Sequence, residues 1–190
     1  MKYTLKFRIW HWLNAAVVLG LLGTVFLRKT FLSWRENSVI LMNKLNEFDI
    51  SITELQAKVL AKSIRAGMWE WHIILGYALA FLMIYRIFLY FKDSSIKENF
   101  NELTLHKKGV KSLYYIVYTT LFFMSISGFI IYFYAEIGLT KESAHDIKEL
   151  HEALFNVLFI FVPLHIAGLI IAENGNQKGV VSTMINGREA

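Results

Sequence analysis

The chain has 190 residues, of which 55% are apolar and 18% charged, with a mean hydropathy of +0.42, a balance too apolar for an ordinary water-soluble domain. A single proline argues against low-complexity disorder, and the absence of cysteine excludes disulfides, thiolate iron–sulfur clusters, Cys-type zinc sites and covalently attached c-type haem, so any redox cofactor must be held by the six histidines. The net charge of +5 sits beside apolar runs instead of on a soluble basic face, which argues against nucleic acid as a partner and for loops that meet anionic lipid.

Four stretches nearly free of Asp, Glu, Lys and Arg follow one another, at about 9–27, 69–91, 112–135 and 151–172. Each approaches or exceeds the roughly 20 residues that a helix rising about 1.5 Å per residue needs to cross the hydrocarbon core. They lack the period-2 alternation of barrel strands, and in lipid only helices or closed barrels satisfy the backbone. The expected fold is therefore all-α, an integral membrane four-helix bundle forming a single domain over residues 1–190. The first run shows no small-residue cleavage site, so it reads as a retained span and not a signal peptide.

The loop between the first two spans, from about Arg28 to Met68, is too long for a bare connection. Leu41, Leu45, Phe48, Ile52, Leu55 and Val59 recur at helical spacing. Ser33-x-x-Glu36 and Ser51-x-x-Glu54 have the form of capping boxes, so amphipathic helices are expected over about 33–66, interrupted near Asp49. They would lie on the bilayer surface or the bundle, or offer a docking face to a periplasmic redox protein or dehydrogenase subunit. With four spans both termini share one side. That side, with the middle loop from about Lys92 to Lys111, carries eleven Lys and Arg against nine on the other, which places both termini in the cytoplasm.

Ionisable groups inside a span are costly and point to function. His11, His72, His151 and His165 lie in or at the mouths of spans, whereas His106 and His145 fall in charged loops and read as exposed. His151 and His165 are separated by about 21 Å along one helix, and the intervening turns return to within about 40° of the same face. One face of the fourth span thus presents a histidine near each membrane surface. His11 opens the first span and His72 the second, which runs the opposite way. Alternation of spans then matches His11 with His165 on the inner side and His72 with His151 on the outer side. Two facing imidazole pairs in an apolar bundle are what bis-histidine haem b needs. Zinc would require tighter clusters of three or four ligands, and Phe155 stands where a metalloprotease helix would place its second histidine.

A porphyrin packs closely only where a helix backbone is bare, which nominates Gly20, Gly76, Gly128 and Gly168. Its propionates need cations: Arg8 and Arg86 at the inner depth and Arg65 at the outer. Helix packing is the competing explanation for the glycines, and snorkelling to headgroups for the arginines.

These residues resemble the bacterial cytochrome b561 family and the related di-haem cytochrome b subunits of membrane hydrogenases. The matching stretches are Arg8-Ile-Trp-His-Trp-Leu-Asn-Ala, His72-Ile-Ile-Leu-Gly-Tyr with the later Arg86, Ser127-Gly, and His151 followed by His165-Ile-Ala-Gly. They are spread over all four spans. The resemblance implies two haems b, residence in the bacterial inner membrane with cytoplasmic termini, and electron exchange between quinone and a partner. The expanded first loop and the early end of the fourth span depart from the pattern. They leave open a free-standing superoxide:quinone type of oxidoreductase, an anchor subunit of a hydrogenase or other dehydrogenase, and a homo-oligomer. A haem-free structural or transport protein, its histidines bonding neighbouring helices, is the remaining alternative. No residue is nominated as catalytic, since iron with two histidine ligands has no open position.

Overall fold

The computed structural model describes residues 3–92, 100–175 and 178–187. Among these the chain is all-helical with no strand, a membrane helical bundle. In chain order it forms α1 (Leu5–Lys29), α2 (Trp34–Asn46), α3 (Glu54–Ile64), α4 (Ala66–Lys92), a 3-10 turn at Phe100–Glu102, α5 (Leu105–Tyr132), α6 (Lys141–Asn174) and α7 (Val180–Ile185). Four helices are long and apolar enough to cross a membrane, namely α1, α4 together with the preceding α3, α5 and α6.

Their surfaces are inverted relative to a soluble protein. Between 6% and 22% of the most apolar windows is buried, and large side chains such as Phe81, Ile84, Phe159 and Ile171 point outward. Water would penalise such an exterior, whereas lipid tails solvate it and leave packing and polar contacts to hold the helices together.

Local signals set the helix ends. Thr104 caps α5 by accepting from the Lys107 N–H, and Thr140 caps α6 by accepting from the Ser143 N–H. Thr53 and Gln56 form a reciprocal capping box on α3. The expected boxes are thereby corrected. Ser33 does precede α2 but makes no side-chain cap bond, and the α3 cap is Thr53, two residues beyond Ser51. Ser51 and Ile52 lie outside the helix, and it is the extended Thr53 whose hydroxyl is in register with the first free amides. The expected interruption at Asp49 is a left-handed residue with φ 60°.

The chain divides into two compact units whose boundary falls within α1 and within α4. One comprises Met1–Ala16 with Tyr77–Ala190, the other Val17–Gly76. In the first unit α5 and α6 pack along each other and α7 against α6. Trp10 of α1 is 1% exposed, and its indole N–H donates to the Leu82 carbonyl of α4 at 2.8 Å. The fourth span, α6, corrects one expectation. It begins ten residues earlier than the apolar run, so His145 is helical and not in a loop. It ends at Asn174, in keeping with the expected early end of the fourth span, and the chain then folds back. The Glu173 carboxylate accepts the amides of Gly179 and Val181 at 2.9 and 3.0 Å, and Trp12 and Arg8 of α1 donate to the Met184 and Ile185 carbonyls at 3.3 and 3.1 Å.

In the second unit α2 and α3 pack on each other. Ala57 and Ala61 are the fully buried residues on α3, while Phe48, Leu55 and Val59 of the expected stripe are exposed. Small side chains allow the close approach, so the larger apolar ones are left facing outward. Trp34 lies under the cations of Arg35, Lys58 and Lys62.

Candidate functional site

The histidine sites lie on helices, not loops. In the first unit His11 stands near the start of α1 and His165 in the second half of α6, two residues after Pro163. Their ring centroids are 6.3 Å apart with 61° between the planes. Two metal–nitrogen bonds of about 2 Å, each extended by about 1 Å to the ring centre, add to roughly 6 Å. The spacing therefore fits two imidazoles sharing one metal atom. Phe161 stacks on His165 at 5.4 Å and Tyr114 meets it edge-on at 6.0 Å, which restrains the ring.

Trp10, the neighbour of His11 in sequence, is one of three aromatic rings around a cation. The Arg86 guanidinium is 5.3 Å from the rings of Phe7 and Trp10 and 5.0 Å from Tyr118. Its Nε and Nη1 are buried without a hydrogen-bond partner, and so is Arg8 Nε. Burying charged donors unmet is expensive. Two such groups, one three residues from His11 and the other against its neighbour Trp10, call for an anion with several acceptor oxygens.

His151 of α6 meets α5. Its Nδ1 is 2.8 Å from Ser127 Oγ, and a Cβ added to Gly128 would lie 3.6 Å from its Cε1. In the second unit His72 Nδ1 of α4 is 2.6 Å from Thr24 Oγ1 of α1. Trp69 stands edge-on to His72 at 5.5 Å, with Arg28 over the Trp69 ring at 5.8 Å. Arg65, at the α3–α4 junction, is close enough to Arg28 for the two like charges to interact.

The nominated glycines are not alike. A Cβ on Gly20 would come within 2.9 Å of Leu75 Cδ1, so this glycine serves the packing of α1 on α4, whereas Gly76 and Gly168 have no heavy atom within 4 Å of that position. His106 is exposed in the first turn of α5, and the exposed His145 pairs with Glu149 at 3.3 Å. Sequence reasoning missed Thr24, the aromatic walls around Arg86 and the return of α7 to Arg8. Only Thr24 left a signal, as a hydroxyl within an otherwise apolar span.

A family model described as prokaryotic cytochrome b561 matches residues 2–187. The chain belongs to the prokaryotic cytochrome b561 family. As a cytochrome b561 it is a membrane haem b protein of electron transport. No individual curated protein and no solved structure matches it.

The residues present fit a haem b. Porphyrin supplies four nitrogens to its iron, so the protein need give only two. Among the described residues no group of three or more His, Cys, Asp or Glu is gathered to hold a metal ion, which suits haem and disfavours zinc. The orphaned donors of Arg8 and Arg86 suit the propionates that a porphyrin brings. Open space over Gly76 and Gly168 suits a flat macrocycle against a helix.

Proposed function

We propose that this cytochrome b561 holds two haems b, one through His11 and His165 and one through His72 and His151, and carries electrons across the bacterial inner membrane between quinone and an outer redox partner. When bound, haem b would supply one-electron chemistry, held by the imidazole nitrogens of His11 and His165 and of His72 and His151. The 6.3 Å spacing of the His11 and His165 rings is the observation that carries the reading. The second pair is supported by span order, which gives His72 and His151 the same depth, and by the hydroxyl contact that each makes through Nδ1. Arg8 and Arg86 would neutralise the inner propionates and Arg65 the outer ones, while Gly76, Gly128 and Gly168 would admit the macrocycle.

Reduced-minus-oxidised spectra with haem counted per polypeptide test the assignment. Two haems are expected in the unaltered protein. His11→Ala and His165→Ala should remove one spectral component, and His72→Ala and His151→Ala the other. Removal of the same component by His11→Ala and His72→Ala would overturn the pairing.

A second reading, an anchor subunit of a hydrogenase or other dehydrogenase, is favoured by the outward-facing Phe48, Leu55 and Val59 of the α2–α3 pair. It keeps the ligand chemistry and changes the electron donor. Co-purification of a metalloprotein subunit, lost when these three residues are made polar, would select it over the free-standing form.

A further inference from the structure

Two buried hydroxyl side chains each touch a histidine on another helix. Thr24 of α1 is 6% exposed and Ser127 of α5 is 7% exposed, and their oxygens lie 2.6 Å from His72 Nδ1 and 2.8 Å from His151 Nδ1. Each hydroxyl also reaches back to its own helix. Thr24 Oγ1 is 2.6 Å from the Leu21 carbonyl, and Ser127 Oγ is 2.8 Å from that of Phe123 and 3.2 Å from that of Met124. A hydroxyl has one proton, and a carbonyl oxygen can only accept. The proton must go to the carbonyl, because otherwise two oxygens would face each other at this distance with no hydrogen between them. What each hydroxyl then offers the imidazole is a lone pair, so Nδ1 is the donor. A neutral imidazole carries one N–H, which leaves the lone pair on Nε2.

We propose that Thr24 and Ser127 are positioning residues that hold His72 and His151 in the Nδ1–H tautomer and so present Nε2 of each as an iron ligand. This rests on the reading of those two histidines as ligands. It goes beyond that reading by naming what orients them, and by predicting a redox effect of residues that never touch the metal. A hydrogen bond from Nδ1–H raises the basicity of the ring and strengthens its donation to the metal. Stronger donation favours the oxidised iron, so both hydroxyls hold the outer haem at a lower potential than it would otherwise have. His165 is instead packed between the rings of Phe161 and Tyr114. Ser125 provides the internal comparison. It is also buried on α5 and also bonds back to its helix, donating to the Leu121 carbonyl at 2.9 Å. Back-bonding is thus ordinary for a serine there, and contact with a histidine is what sets Ser127 apart.

The test is a potentiometric titration of the full-length haem-loaded protein, followed in the visible absorption bands and by the low-spin ferric EPR g values. Ser127→Ala and Thr24→Val should each move the same one of the two haem components to higher potential and shift its g values. The other component should stay in place. Ser127→Thr and Thr24→Ser, which keep a hydroxyl, should restore the potential, and Ser125→Ala should move nothing. Loss of that haem in Ser127→Ala together with its retention in Ser127→Thr would equally support the proposal. Unchanged potentials and g values in Ser127→Ala and Thr24→Val, or an equal shift in Ser125→Ala, would overturn it. Retention of both haems by His72→Ala and His151→Ala would instead overturn the ligand reading on which it rests.

Discussion

Arg86 shows how opposing terms of similar size make one side chain depend on its cofactor. Its guanidinium lies over three aromatic faces, each contributing about 0.5–1 kcal/mol or more once desolvated. Two of its nitrogens are buried and unmet, at a cost of about 1–3 kcal/mol per group. Without haem these terms largely offset, so Arg86→Met should change the thermal stability of haem-depleted protein by no more than about 1 kcal/mol. With haem bound, a charge-assisted hydrogen bond to a propionate is worth about 1.5–3 kcal/mol. Arg86→Met should therefore weaken haem retention roughly tenfold to a hundredfold, measured as the rate of haem transfer to an apoprotein acceptor. A large loss of stability in the haem-depleted variant, with haem retention unchanged, would show that Arg86 only packs. At this scale the sequence identified the arginine and its depth. It did not identify the walls, because Phe7, Trp10 and Tyr118 come from two helices and meet Arg86 only after these pack.

Among the elements, the α2–α3 pair separates local from tertiary causes. Its existence and its break at Asp49 were legible, because helical spacing of apolar residues and a residue tolerant of positive φ are local signals. Its caps were legible only in kind. Thr53 accepts from the Gln56 N–H at 3.2 Å while its own N–H is met by Gln56 Oε1 at 2.8 Å, whereas Ser33 makes no such bond. Thr53→Ala should therefore cost α3 about 1 kcal/mol, visible as faster hydrogen exchange at Gln56 and Ala57. Ser33→Ala should leave α2 exchange nearly unchanged, and equal effects at the two sites would contradict the capping geometry. Which face of α3 packs was not legible, because the large residues Leu55 and Val59 outweigh Ala57 and Ala61 in any hydrophobicity pattern. Close approach of two helices selects the small residues instead.

For the whole molecule, the four apolar helices determine the order in which the histidines reach each membrane surface. The excess of Lys and Arg flanking the termini and the middle loop would orient the set with both termini in the cytoplasm. Reporter fusions should find residues near Met1 and Ala190 in the cytoplasm and the loop near Asp49 outside. An outside location for both termini would exchange inner and outer in every statement about depth while leaving the histidine pairs intact.

The amino-acid sequence by itself determined the membrane class, the number of spans, the four intramembrane histidines and the family. The reason is that lipid accepts only long apolar helices and makes any ionisable residue within them conspicuous. Only the tertiary structure decided that Thr24 meets His72 and Ser127 meets His151, that α7 returns to Arg8, and that Gly20 is packed against Leu75. Those contacts join residues 48, 24 and as many as 177 positions apart. They follow from the rotation and approach of neighbouring helices, which no periodic pattern within a single span specifies.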